Sequence, residues 1–197
     1  IKHKIMQVML EREQRRTLHG TIVLDDAYLG GKRRGKAGRG SENKVPFLAG
    51  VQVDDRGRPQ VVRLDPVAGF KQSEIQRWAK HYLAPASQVV SDGLNCFTAL
   101  ESAGMAHQRE VVGTQRHSTD MPCFNWVNIL LGNLKTALAG TYHAFAFRKY
   151  APRYLAEYQY RFNRRFELAA MLPRLLRAAV STAPRSEAWL RLAEDSC

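Results

Sequence analysis

The chain has 197 residues, a length for one domain with a sizeable core. At 45% hydrophobic and 24% charged residues its composition is globular, which excludes a disordered tail and a collagen-like repeat. Thirty Lys and Arg against eighteen Asp and Glu give a net charge of +12, so the expected partner is a polyanion, nucleic acid by default, with a basic solvated surface as the bland alternative.

Residues 2–16 are polar with Ile5, Met6, Val8, Met9 and Leu10 interspersed, and read as a short helix. Residues 21–24 form a short apolar run, a buried strand that ends on Asp25-Asp26. From Gly30 to Lys44 the chain is rich in glycine and basic residues and almost free of apolar ones, as a loop is. Strands are expected at 45–53 and 60–64, joined by the turn residues 54–59 into an antiparallel hairpin. A helix over 73–83 has Ile75, Trp78, Ala79 and Tyr82 at helical spacing and Ser73 as its cap. A fourth strand at 88–91 is closed by Asp92-Gly93, followed by a short helix at 95–103 and a fifth strand at 110–112. A long helix is expected over 124–139, stopped by Gly140. Another follows at 144–164, broken near Pro152, with two more at 167–180 and 187–195. Trp78 and Trp126 read as packing residues.

This order matches a ribonuclease H-like α/β fold, a five-stranded mixed sheet flanked by helices, with extra C-terminal helices. Within it Asp25 and Asp92 close the first and fourth strands, and ligands at neighbouring strand ends can converge at one mouth of a sheet. Asn128 lies in the long helix. There Val127, Leu131, Leu134 and Leu138 make the core stripe, while Asn125, Asn128, Gly132 and Lys135 share another face. Lys135 follows Asn128 by seven residues, so the two point the same way, about 10 Å apart. Two carboxylates and an amide oxygen suit one or two Mg²⁺ ions, with Mn²⁺ as a substitute, and such a centre serves in-line displacement at a phosphodiester. Lys135 would then sit on a DNA phosphate. Taken alone, Asp25-Asp26 and Asp92-Gly93 also read as ordinary strand-end turns, and the polar helix face as a solvated one.

The residues that carry this pattern resemble a known family. Asp25-Asp26-Ala27-Tyr28-Leu29-Gly30-Gly31-Lys32, Val90-Ser91-Asp92-Gly93, Trp126-Val127-Asn128, Asn133-Leu134-Lys135 and Gly140-Thr141-Tyr142-His143 stand in order along the chain. Arg153-Tyr154-Leu155-Ala156-Glu157 and Tyr160-Arg161-Phe162-Asn163-Arg164-Arg165 follow. Together they are similar to the catalytic domain of the ISXO-like insertion-sequence transposases, over about residues 20–170. The resemblance implies a DDE-type transposase of bacterial mobile elements that uses Mg²⁺ to cut element ends and join them to target DNA. It implies Asp25, Asp92 and Asn128 as the catalytic and metal-binding triad, Lys135 as the catalytic basic residue seven further on, and Asp26 in support. An Asn in third place follows a branch with an Asp-Asp-Asn-Lys signature, although an amide offers only a neutral oxygen. A homo-oligomer in a DNA synapse is implied by the pairing of two ends. Residues 1–19 would trail a missing N-terminal DNA-binding region, residues 20–170 form the catalytic domain, and residues 171–197 a helical extension.

Lys32, Arg33, Arg34, Lys36, Arg39 and Lys44 crowd the glycine-rich loop after Asp25, where a basic segment would track DNA backbone or stand as solvated charge. Arg161, Arg164 and Arg165 form a second candidate DNA surface, beside aromatics that read as core. His143 either supports the site or caps a turn. No apolar run approaches the roughly 18 residues that cross a bilayer, and no membrane partner is expected. Cys96, Cys123 and Cys197 form no metal-binding pair and fit a reducing compartment, the cytoplasm, with the nucleoid as the place of action. The first residue is Ile1, which reads as the start of a piece of a longer protein. Two alternatives are a ribonuclease H-like nuclease or resolvase, and a DNA-binding remnant without catalysis.

Overall fold

The structure, a computed structural model, describes residues 1–30, 44–110, 121–142 and 145–192. The chain divides into two compact units. One, of Thr17–Tyr28 and Pro46–His143, is built on the sheet; the other, of Ile1–Arg16, Leu29–Val45 and Ala144–Cys197, carries the helices Lys2–Glu13, Phe147–Phe162, Leu168–Ser181 and Glu187–Leu192.

The sheet has five strands, β1 (Thr21–Leu29), β2 (Val45–Val53), β3 (Pro59–Pro66), β4 (Gln88–Ser91) and β5 (Ala106–Arg109), in the order β3-β2-β1-β4-β5. It is mixed: β2 and β3 are antiparallel, while β4 runs parallel to β1 and to β5. The β2–β3 turn is held by Asp54, whose Oδ1 accepts the backbone N–H groups of Arg56 at 3.0 Å and Arg58 at 2.8 Å. Side chains alternate along a strand. Ile22 and Leu24 of β1, Leu48 of β2 and Val89 of β4 therefore share one face. They pack with Ile75, Trp78 and Ala79 of α2 (Gln72–Tyr82) and with Phe97, Leu100 and Met105 around α3 (Ala99–Ser102). Gly50 makes this packing possible, because a Cβ there would lie 3.0 Å from Leu18 and 3.2 Å from the Trp78 ring. Trp78 also donates its indole N–H to Asp65 Oδ2 at 2.7 Å, pinning α2 to β3.

A 3-10 turn at Pro122–Phe124 leads into α4 (Asn125–Tyr142). Val127, Leu130, Leu131, Leu134 and Leu138 are its buried stripe, as the apolar spacing requires. Burying such a stripe stabilises a helix more than its intrinsic propensity does. In the helical unit, α1 (Lys2–Glu13) packs on α5 (Phe147–Phe162) and α6 (Leu168–Ser181), and α7 (Glu187–Leu192) follows. Buried Arg153 ties three of these elements together: its Nε donates to Gln7 Oε1 at 2.9 Å and its Nη1 to the Leu190 carbonyl at 2.8 Å.

Several expectations are corrected. β1 does not end at Leu24 but continues through Asp25 and Asp26 to Leu29, because β2 remains its neighbour after β4 has stopped. The fifth strand of the sheet lies at 106–109, ahead of the expected 110–112; its register on β4 (Gln88 opposite Ala106, Ser91 opposite Arg109) is set by backbone pairing on a polar edge without a hydrophobic signal. Val111 and Val112 lie outside the described residues. Residue 73 is not the cap of α2; Lys71 is, with extended backbone and no side-chain bond. Gly140 does not stop α4, which runs on to Tyr142. Pro152 does not break α5, since the buried face from Ala151 to Tyr160 holds the helix across it. Trp126 is 39% exposed and so is not a core residue, whereas Trp78 is buried.

Candidate functional site

The parallel register of β1 and β4 creates the acidic cluster. Leu24 pairs with Ser91, and the residue following each is an aspartate, Asp25 and Asp92. Asp25 alternates with Leu24, so it leaves the sheet on the face opposite α2. Asp26 joins them, and carboxylate oxygens of Asp25, Asp26 and Asp92 lie within 4.8 Å of one another. All three are half-buried.

Local hydrogen bonds orient two of these groups. The Asp26 backbone N–H donates to Asp25 Oδ1 at 2.8 Å, and the Leu94 N–H to Asp92 Oδ1 at 3.0 Å. Behind Asp92, the Ser91 hydroxyl donates to the Asp92 carbonyl at 3.1 Å and meets His107 Nε2 at 2.8 Å. Arg109 donates to the Gly93 carbonyl and closes the turn after Asp92. Burial pushes the Asp25 carboxyl up to about 7, and the charges of Asp26 and Asp92 add to it. The Asp26 N–H bond and the Lys135 ammonium pull the other way. The Lys135 charge of α4 therefore acts on Asp25.

On α4 Asn128 is half-buried and Lys135 exposed, along the same face. The Asn128 Nδ2 is buried without a hydrogen-bond partner among the described residues. The two ends of a side-chain amide are interchangeable in assignment, so the same position can present the oxygen. Three hard carboxylates, one of them inclined to keep its proton by burial and then by its neighbours' charge, and an unsatisfied amide fit a divalent cation with oxygen ligands.

Lys32, Arg33, Arg34, Lys36, Arg39 and His143 lie outside the described residues, and Lys44 stands half-buried just before β2. Arg161, Arg164 and Arg165 belong to the helical unit. Arg161 pairs with Glu157 at 2.5 Å and Arg164 with buried Glu13 at 2.5 Å, while Arg165 lies over the rings of Phe162 and Phe166 at 3.9 and 4.2 Å. Tyr158 and Tyr160 are buried, as core aromatics. The Ser91–His107 contact behind Asp92 escapes a sequence reading because it depends on the position of β5.

A mixed sheet in the order β3-β2-β1-β4-β5, with acids just beyond the β1–β4 pairing, defines a ribonuclease H-like α/β domain. The family model for the ISXO2-like transposase domain matches residues 17–163. The chain belongs to that family. Among solved structures it is similar to the catalytic core domain of BIV integrase, with 14% identity, a TM-score of 0.40 and coverage of 69% of this chain and 79% of that one. It is also similar to the catalytic domain of the Mos1 mariner transposase, with 12% identity, a TM-score of 0.30 and 91% coverage of each chain. For the Mos1 mariner paired end complex with Mn the identity is 12% and the TM-score 0.31; 91% of this chain is covered, and the match spans 61% of that one. No curated protein matches the sequence significantly.

Proposed function

We propose that this chain is the catalytic domain of a DNA transposase that cuts at element ends and joins them to target DNA. The observation that carries the reading is the carboxylate cluster of Asp25, Asp26 and Asp92, within a chain that belongs to a transposase family. Asp25 and Asp92 are the ligands of Mg²⁺, or of Mn²⁺ in its place, with Asp26 in support and the amide oxygen of Asn128 as a neutral third donor. Bound there, the metal supplies activation of a water or 3′-hydroxyl and stabilisation of the leaving oxygen. Asp25 gives up its proton when the cation binds. Lys135, already felt by Asp25, neutralises a DNA phosphate beside it. The basic segment with Lys32, Arg33, Arg34, Lys36, Arg39 and Lys44 follows the DNA backbone, with Arg161, Arg164 and Arg165 as a second DNA surface and His143 in support.

In this reading residues 20–170 are the catalytic domain, residues 1–19 trail a DNA-binding region, and residues 171–197 are a helical extension. Two copies in a synapse would hold two ends, on bacterial DNA in the cytoplasm. The test is strand joining of element-end duplexes in Mg²⁺ and Mn²⁺, with Asp25→Asn and Asp92→Asn as controls. Joined product that both substitutions reduce at least 100-fold is expected. Hydrolysis without joining favours a nuclease or resolvase, and activity unchanged in both variants removes the assignment.

A further inference from the structure

The helical unit gathers further arginines around Arg164, one of the three residues of the proposed second DNA surface. Two adjoining clefts, of about 250 and 340 Å³, open beside α1, α5 and α6. Arg12, Arg164, Arg174 and Arg177 line the first together with Tyr160, and Arg12, Arg15, Arg16 and Arg164 line the second. Arg12 and Arg164 are common to both, so the clefts form one two-lobed groove.

The carboxylates beside the groove are already engaged. Buried Glu13 accepts from Arg164 at 2.5 Å, from Gln159 at 3.1 Å and from Asn163 at 2.9 Å, and pairs with Arg16 at 3.4 Å. Glu167 pairs with Arg174 at 2.5 Å. Glu13 thus fixes Arg164, whose guanidinium also lies 3.5 Å from the centre of the Tyr160 ring. Among the described residues, the guanidinium groups of Arg12, Arg15 and Arg177 have no ion-pair partner. Like charges held on a concave surface repel one another and focus a positive potential into it. A planar guanidinium fork matches a phosphate with two parallel hydrogen bonds. Two lobes that share a wall suit successive phosphates of one strand better than a single ion.

We propose that this groove binds the sugar-phosphate backbone of DNA without regard to base sequence, seating at least two phosphates. All six arginines lie outside residues 17–163, so the segments that flank the family domain would build a DNA site of their own. The identity of the polyanion rests on the transposase reading, while the groove rests on its own geometry.

The test compares the full chain with the triple variant Arg12→Gln/Arg15→Gln/Arg177→Gln. These three are unpaired, so their loss breaks no ion pair, and thermal melting checks the fold. A charge-matched variant, Arg56→Gln/Lys71→Gln/Lys80→Gln, changes exposed residues of the sheet unit. Binding to duplexes of unrelated sequence is measured across a salt series. The groove variant is expected to bind every duplex roughly 10- to 100-fold more weakly near 0.1 M salt, with the log–log salt slope reduced by about 2–3 relative to the charge-matched variant. Equal affinity and slope in the two variants would overturn the proposal and leave an acidic protein segment as the groove's ligand, as would a wild type that binds no DNA. Metal-dependent cleavage in the same preparations reports separately on the transposase reading. A slope change without cleavage keeps the groove and removes that reading, and cleavage with an unchanged slope does the reverse.

Discussion

At the scale of single residues, Asp25 couples stability to pH. Its carboxyl titrates near 7 in the folded chain against an ordinary value of 3.8. As pH rises the unfolded state therefore ionises first. The stability held by the protonated form is complete below about pH 4 and lost as pH rises through about 7. Asp25→Asn removes that loss. In EDTA the variant and the wild type should melt alike near pH 4, whereas at pH 8 calorimetry should find the variant more stable by roughly 1–3 kcal/mol. Mn²⁺ at pH 8 should raise the melting temperature of the wild type and leave Asp25→Asn unmoved. A second residue carries a backbone cost. Ala86 has a φ of 61°, a conformation that disfavours a Cβ. Ala86→Gly should stabilise the chain by about 1 kcal/mol in urea titration, since relief of the left-handed strain outweighs the added flexibility of the unfolded chain.

Among elements, the β2–α2 contact is tight at Gly50, where a methyl group fits only if its neighbours give way. Gly50→Ala drives a Cβ against Leu18 and the Trp78 ring, both buried in the sheet's core. A loss of about 1–3 kcal/mol is expected in chemical denaturation, and a variant as stable as the wild type would show that Trp78 can shift aside. The elements also show what local patterning can and cannot tell. β4 and the stripe of α4 are legible from apolar spacing, and the Leu24–Ser91 register then brings Asp25 and Asp92 together. β5 is not legible, because Ala106–Arg109 is a polar edge strand defined by backbone hydrogen bonds to β4. Gly140 and Pro152 mislead for a related reason: tertiary burial overrides the local signals to stop. Asp26 enters the cluster although it follows Asp25 directly on β1, which strand alternation alone does not announce.

At the scale of the molecule, the acidic cluster lies in the sheet unit and the arginine groove in the helical one. No described helix is long and apolar enough to cross a membrane. The groove could not be read from the sequence because Arg12 and Arg174 are brought together only when α1 packs on α6. Glu13 holds that arrangement, bonding across 146 residues to Gln159 and across 151 to Arg164. Glu13→Ala would leave the buried end of Arg164 uncompensated, and equilibrium unfolding should show a loss of about 3–5 kcal/mol.

The distance along the chain between α1 and its partners bears on the order in which the molecule forms. During synthesis the residues of the sheet unit, through residue 143, are made before those of α5. Helix α1, made before its partners, must wait with Met6, Val8 and Met9 uncovered until α5 and α6 emerge. Contacts of such long range are slow to close, and apolar surface exposed meanwhile invites chaperones. The nascent chain would thus acquire its acidic cluster before its arginine groove, which forms only once α5 and α6 have joined α1.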